Sequence, residues 1–176
     1  MRYFLFLPAF TLCILVILTG CNTADGEEAS TSTETQHPSP AMTVEQTRQI
    51  IEPYVTAHDP SYLTEDAVFV HMASGERHEG REAIGEMLNW IYHVAFDAHA
   101  ADPRLIVGEG KATLEATFTG THTGEFAGIP ATGREVKVPL CVTYEVSESG
   151  ITEARVYMLA SVMMQQLGAV PAASDG

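Results

Sequence analysis

The residues that could do chemistry in this chain of 176 residues are its histidines, a few tyrosines and one arginine. His71 closes a short apolar run, and an imidazole can take or give a proton near neutral pH. Arg155 and Tyr157 stand two apart in a segment that reads as strand, so they share a face. Turned toward a pocket, Arg155 would hold an anionic or enolate-like oxygen and Tyr157 would donate a hydrogen bond to it. Turned outward, Arg155 is an ordinary ion-pair residue. Tyr92, His93, Phe96 and His99 gather near the end of an expected helix, where core packing and ligand contact are both open. His122 lies in a loop rich in glycine and threonine, which it is expected to brace by hydrogen bonds. Cys141 fits a small strand residue better than a nucleophile, because no nucleophile signature surrounds it. His71 is thus the candidate catalytic group, with Tyr92, Phe96, His99, Arg155 and Tyr157 as candidate ligand contacts.

Several chemistries are disfavoured. The seven histidines include no i, i+4 pair of the kind a zinc-binding helix carries, so no metal site is expected. There is no glycine-rich nucleotide loop and no Gly-x-Ser-x-Gly elbow, so no cofactor is called for. A net charge of −14 opposes nucleic acid and anionic surfaces, which need clustered Lys and Arg.

The elements that must position these residues centre on the stretch Thr119 to Val138. Leu114, Ala116 and Phe118 alternate with Glu115, Thr117 and Thr119 before it. Val136, Val138, Leu140, Val142, Tyr144 and Val146 alternate with polar or small residues after it. The pattern predicts a long hairpin with one buried face, whose register a one-residue slip would destroy. Upstream, Thr43-Val44-Glu45-Gln46 fits a capping box, and a helix should follow with Val44, Ile51 and Val55 on its buried side, broken or kinked at Pro53. Ala67 to Met72 reads as a strand. A second helix from Gly80-Arg81-Glu82 carries Ile84, Met87, Leu88, Ile91 and Ala95 on its apolar face and ends near Phe96. Strands at 105–107 and 151–160 complete an α+β domain with its helices on one face of a curved antiparallel sheet.

The ends of the chain are of different material. Arg2 and an apolar run to Leu18 precede Leu18-Thr19-Gly20-Cys21, the organisation of a secretory signal, and that ending resembles the lipobox of bacterial lipoproteins. The resemblance implies a signal peptide over 1–20, lipid on Cys21, and a lipid-anchored, extracytoplasmic place in a bacterial cell envelope. The membrane is then reached through the anchor alone. Cys13 leaves with the signal, so Cys141 stands alone and no internal disulfide can form. Residues 22–42 hold seven Ser or Thr, four acids and no Lys or Arg, which is a tether rather than a fold. The expected domain covers 43–168 and a frayed tail covers 169–176.

GTHTGEFAGIPATGREV at 120–136, the turn Glu148-Ser149-Gly150-Ile151 and the closing Gln166-Leu167-Gly168 together resemble the SnoaL-like polyketide cyclase and ester cyclase group of the NTF2-like superfamily. Gly80-Arg81-Glu82-Ala83-Ile84 and Phe96 fit the same group. The resemblance implies a cone, with a bent sheet wrapped around helices and an apolar pocket at one end. It also implies a small apolar, carbonyl-bearing ligand and a homodimer through the outer sheet face. Cyclases of the group are thought to use an acid on the last strand, a position that falls at or beside Leu159 here. No Asp or Glu occurs from Ala154 through Ser174, so that acid is not carried over. Two readings stay open: a cyclase- or isomerase-type enzyme working by proton transfer, and a noncatalytic module that binds an apolar ligand or another protein.

The lipobox expectation is tested by Cys21→Ser, which should move the protein from the membrane fraction to the soluble fraction on cell fractionation. Unchanged membrane partition of the variant would refute the anchor.

Overall fold

The computed structural model describes residues 42–169. The expected signal segment, Cys21, the tether as far as residue 41 and the tail from residue 170 lie outside the described residues.

Helix α1 (Val44–Ala57) begins with the expected capping box: the Gln46 N–H donates to Thr43 Oγ1 and the Thr43 N–H to Gln46 Oε1. Its buried residues are Thr47, Ile51 and Tyr54; Ile51 and the half-buried Val55 lie on the expected side, and only Val44 departs from it, being exposed. The reason is that Thr47 is fully satisfied in the interior. Its hydroxyl donates to the Thr43 carbonyl at 2.9 Å and accepts the Gly110 N–H at 2.9 Å, which ties α1 to a β-turn 63 residues away. Pro53 does not end the helix, which runs on to Ala57 and is capped by His58 in the left-handed region at φ 51°.

After a 3₁₀ turn (Pro60–Tyr62) come β1 (Leu63–His71) and β2 (Glu76–Glu79), a short strand not foreseen in the sequence. Helix α2 (Arg81–Asn89) passes into a π-helical stretch (Trp90–Ala95), and three long strands follow: β3 (Phe96–Gly108), β4 (Lys111–His122) and β5 (Glu135–Ser147). Strand β6 (Gly150–Met158) leads into α3 (Ala160–Leu167), which was also not foreseen. The six strands form one curved sheet in the order β2-β1-β6-β5-β4-β3, antiparallel throughout except for the parallel pair β1 and β6. This is the α+β cone expected from the resemblance.

The hairpin β4–β5 has the predicted register. Leu114 pairs with Val142, Ala116 with Leu140 and Phe118 with Val138, so the apolar set of both strands lies on one face. On that face Phe118, Leu114, Val136 and Val138 are buried with Ile51, Tyr54 and Ile84 from the helices. Helix α3 fixes the start of β5: Gln166 accepts the Lys137 N–H at 2.7 Å and donates to the Lys137 carbonyl at 2.9 Å, doing for this backbone what another strand would do.

Strand β6 holds the one feature that changes the site. Its pairing with β5 slips between Glu145 and Val146, a bulge at Thr152 that leaves Ile151 and Ala154 both buried on the inner face. An alternation counted straight through from Ile151 would send Arg155 and Tyr157 inward. The bulge reverses it and sends them outward.

Two glycines of the central stretch answer to close approach. A Cβ on Gly120 would collide with Ala98 across β3, and one on Gly124 would meet the Val94 carbonyl, against which the loop is sealed by N–H bonds from Thr123 and Gly124 to the Ala95 carbonyl. Gly120→Ala should therefore destabilise the domain by roughly 1–3 kcal/mol in urea unfolding, the usual range for overpacking. A variant within experimental error of the parent would show that β3 can move away and that the packing is looser than described.

Candidate functional site

The inner face of the sheet, the end of α1 and the α2–π segment enclose a narrow cavity of about 60 Å³. Its walls are apolar: Phe69 from β1, Leu114 and Phe118 from β4, Leu140 and Val142 from β5, Met87, Leu88 and Ile91 from the α2–π segment. Val156 and Met158 of β6 close it, which is the inward parity left by the bulge.

Five polar rings reach this space: Tyr54, His58, His71, Tyr92 and Tyr144. Tyr54 meets Tyr144 edge to face at 5.9 Å and Phe69 at 6.4 Å. Tyr92 lies flat on His58, centroids 4.5 Å apart and planes 25° apart, and leans on Phe118 at 5.4 Å. His71, at the end of β1, has the His78 ring 5.6 Å away. Among the described residues no hydrogen bond satisfies the three phenol oxygens, and all three tyrosines line the cavity.

Electrostatics fix the protonation of these groups. Burial, and secondarily His93, holds the His58 imidazole below its ordinary pKa. Burial also lowers His71, with His78 acting in the same direction and Glu76 against it. The Tyr92 phenol is pushed up to about 12 by burial, and Tyr54 and Tyr144 rise for the same chief reason, with neighbouring phenols adding to it. At neutral pH the cavity therefore offers neutral imidazoles as bases and protonated phenols as donors. No carboxylate lines it.

Of the residues singled out in the sequence, His71 and Tyr92 line this cavity. Arg155 does not. Its guanidinium lies on the outer face, 2.7 Å from Glu153 and 3.9 Å from Glu145, and its side chain is 40 % exposed. Tyr157 is likewise outward, beside Met72, Cys141 and Leu159. The oxyanion-holding role considered for this pair is thus corrected, and the cause is the bulge at Thr152. Phe96 is wholly buried in an aromatic cluster with Phe118, His122 and Phe126 and does not line the cavity. His99 pairs with Thr119 in register and is exposed, lining a separate cleft on the surface. His122 braces the loop: the Thr132 N–H donates to its Nδ1 at 3.2 Å, and the Thr132 hydroxyl lies 3.0 Å from the same nitrogen. The Cys141 thiol is raised by burial and by Glu115, the wrong direction for a nucleophile at neutral pH. Among the described residues no cluster of three or more His, Cys, Asp or Glu could hold a metal ion.

Sequence reasoning missed Tyr54, His58 and Tyr144. The signal for Tyr144 was present, since the alternation of β5 already sent it inward. His58 and Tyr54 sit at the end of α1, where no pattern in the sequence singles them out.

A family model for SnoaL-like polyketide cyclase matches residues 41–167. Among curated proteins none matches the chain. Solved structures share the fold. A provisionally named polyketide cyclase from Xanthomonas campestris pv. campestris superposes with a TM-score of 0.63 at 17% identity, over 70% of this chain and 97% of its own. A provisionally named SnoaL-like polyketide cyclase from Jannaschia sp. CCS1 gives 0.62 at 20% identity, over 77% and 99%. A phenazine biosynthesis-related protein from Pseudomonas aeruginosa gives 0.62 at 14% identity, over 75% and 87%. At such identities the likeness is one of fold, and it is the family match over the whole folded domain, enclosing the cavity just described, by which this chain belongs to the SnoaL-like polyketide cyclase family.

Proposed function

We propose that this domain binds a small apolar molecule bearing a carbonyl group in the inner cavity and moves a proton beside that carbonyl, while Cys21 tethers it by lipid on the extracytoplasmic side of a bacterial membrane. The observation that carries the reading is the pairing of a neutral imidazole, His71, with unpartnered phenols in an apolar enclosure. An enolate formed there needs a base for the α-proton and a donor for the developing oxygen charge. His71 serves as the base. Tyr144 and Tyr54, kept protonated by burial, serve as donors. The proton removed from carbon sits on the imidazole, where it swaps with solvent, and a proton from the imidazolium is delivered to the same or a neighbouring carbon, so the step is an exchange or an isomerisation and consumes nothing.

This arrangement replaces the usual carboxylate with an imidazole. The lack of a carboxylate among the lining residues also favours a second reading, a cavity that binds without turnover. The two part on a single experiment. With 5-phenyl-2-pentanone in deuterated buffer, the protein should catalyse deuterium uptake at the carbons flanking the carbonyl, followed by proton NMR. His71→Gln should lower that rate by about 10²–10⁴, the usual worth of a general base. The wild-type rate should fall with acid only below the ordinary imidazole value of 6.5, because the folded pKa is lowered and the basic form persists to lower pH. A ketone that binds without exchanging establishes the noncatalytic reading instead, and exchange that survives His71→Gln removes His71 from the chemistry.

A further inference from the structure

The cavity by itself takes only part of the ligand just proposed. Its volume is about 60 Å³, whereas ligand sites run to roughly 300–1,000 Å³. The missing room lies next door. Two surface clefts of about 330 and 240 Å³ adjoin it, and the residues common to the cavity and both clefts are His58 and Tyr92. Their stacked rings are the partition between inside and outside.

Both partition residues sit on backbone that departs from regular structure. His58 occupies the left-handed region, which an L-residue adopts at a cost and a glycine would adopt freely. Tyr92 rides on the π-helical stretch Trp90–Ala95, a widened turn of the sort that recurs at functional sites and repacks with little change elsewhere. Such irregularity, held on both sides of one contact, is where strain is kept for use.

The larger cleft has a composition of its own. It is lined by His58, His93 and His99 together with Val55, Ala98 and Pro103, and by no Asp or Glu, in a chain with 23 acids. Three imidazoles without an acid among them supply N–H donors to an anion. We propose that the ligand site runs from the cavity through the His58–Tyr92 pair into this cleft, and that it takes an amphiphilic carboxylate: the apolar body lies beside Phe69, Leu114 and Phe118, the carboxylate among His58, His93 and His99. This rests on the cavity reading given above and narrows its ligand. Tyr92 swings off His58 to admit the body and closes on it, and His58, freed from the stack, turns its ring nitrogen to the carboxylate.

The test compares 4-phenylbutanoate with 5-phenyl-2-pentanone, which has the same body with a methyl in place of the charged oxygen. Isothermal titration of the full-length protein at pH 7 should give about tenfold or tighter binding for the carboxylate, as a charge-assisted hydrogen bond predicts. The double variant His93→Val, His99→Val, both exposed positions and now without a donor, should bring the carboxylate down toward the level of the ketone. Equal affinity of the two probes for the wild type, or a carboxylate preference that survives in the double variant, overturns the histidine cleft while leaving the cavity reading standing. Failure of both probes to bind removes the cavity reading as well.

Discussion

Everything in the domain depends on the register of the β4–β5 hairpin. Because side chains alternate, one pairing decides at once that Leu114, Phe118, Val138, Val142 and Tyr144 face the helices and that the threonines of β4 face away. Beyond its own ladder and those it shares with β3 and β6, the hairpin is pinned at its ends. At the loop end the His122 backbone N–H donates to the Arg134 carbonyl and the Gly133 N–H to the His122 carbonyl, while the imidazole takes the Thr132 N–H. At the start of β5 the Gln166 amide holds both backbone groups of Lys137. Only a sheet fixed in this way can hold five polar rings against one small apolar space.

That space in turn sets the chemistry. An apolar enclosure disfavours charge on any group it surrounds, so imidazoles lose protons and phenols keep theirs. The same preference feeds back on stability. The unfolded chain protonates His58 and His71 at about the ordinary imidazole value of 6.5, whereas the folded chain resists. Their contribution to folding is therefore fully present above that value and is lost as pH falls toward the lowered folded pKa.

The fold was legible in the sequence where one physical pattern acted alone. The alternation in β4 and β5, the capping box at Thr43 and the apolar face of α2 all appear where expected, because each is a local consequence of period and propensity. Legibility failed where a distant partner decided the outcome. Thr47 displaced Val44 from the buried face of α1 because Gly110 supplies its hydrogen bond. The face of Arg155 and Tyr157 stayed open in the sequence because the bulge at Thr152 that turns them outward is set by pairing with β5 and carries no signature in the residues of β6. Of the cavity's five polar rings, His71 and Tyr92 were therefore singled out beforehand by type and position, while Tyr144 was read as inward-facing by alternation without being assigned to a site. Tyr54 and His58 were hidden in a helix end whose left-handed cap brings the imidazole over Tyr92.

The central claim is that the cavity holds neutral imidazoles as its working bases. Titration of the histidine ring signals by NMR in the free protein, assigned through His58→Gln and His71→Gln, reads this directly. The account predicts midpoints below 6.5 for both residues, in keeping with burial as the leading cause in each. Midpoints at or above 6.5 would mean that water or an anionic neighbour reaches these rings, and the neutral-base cavity would be contradicted.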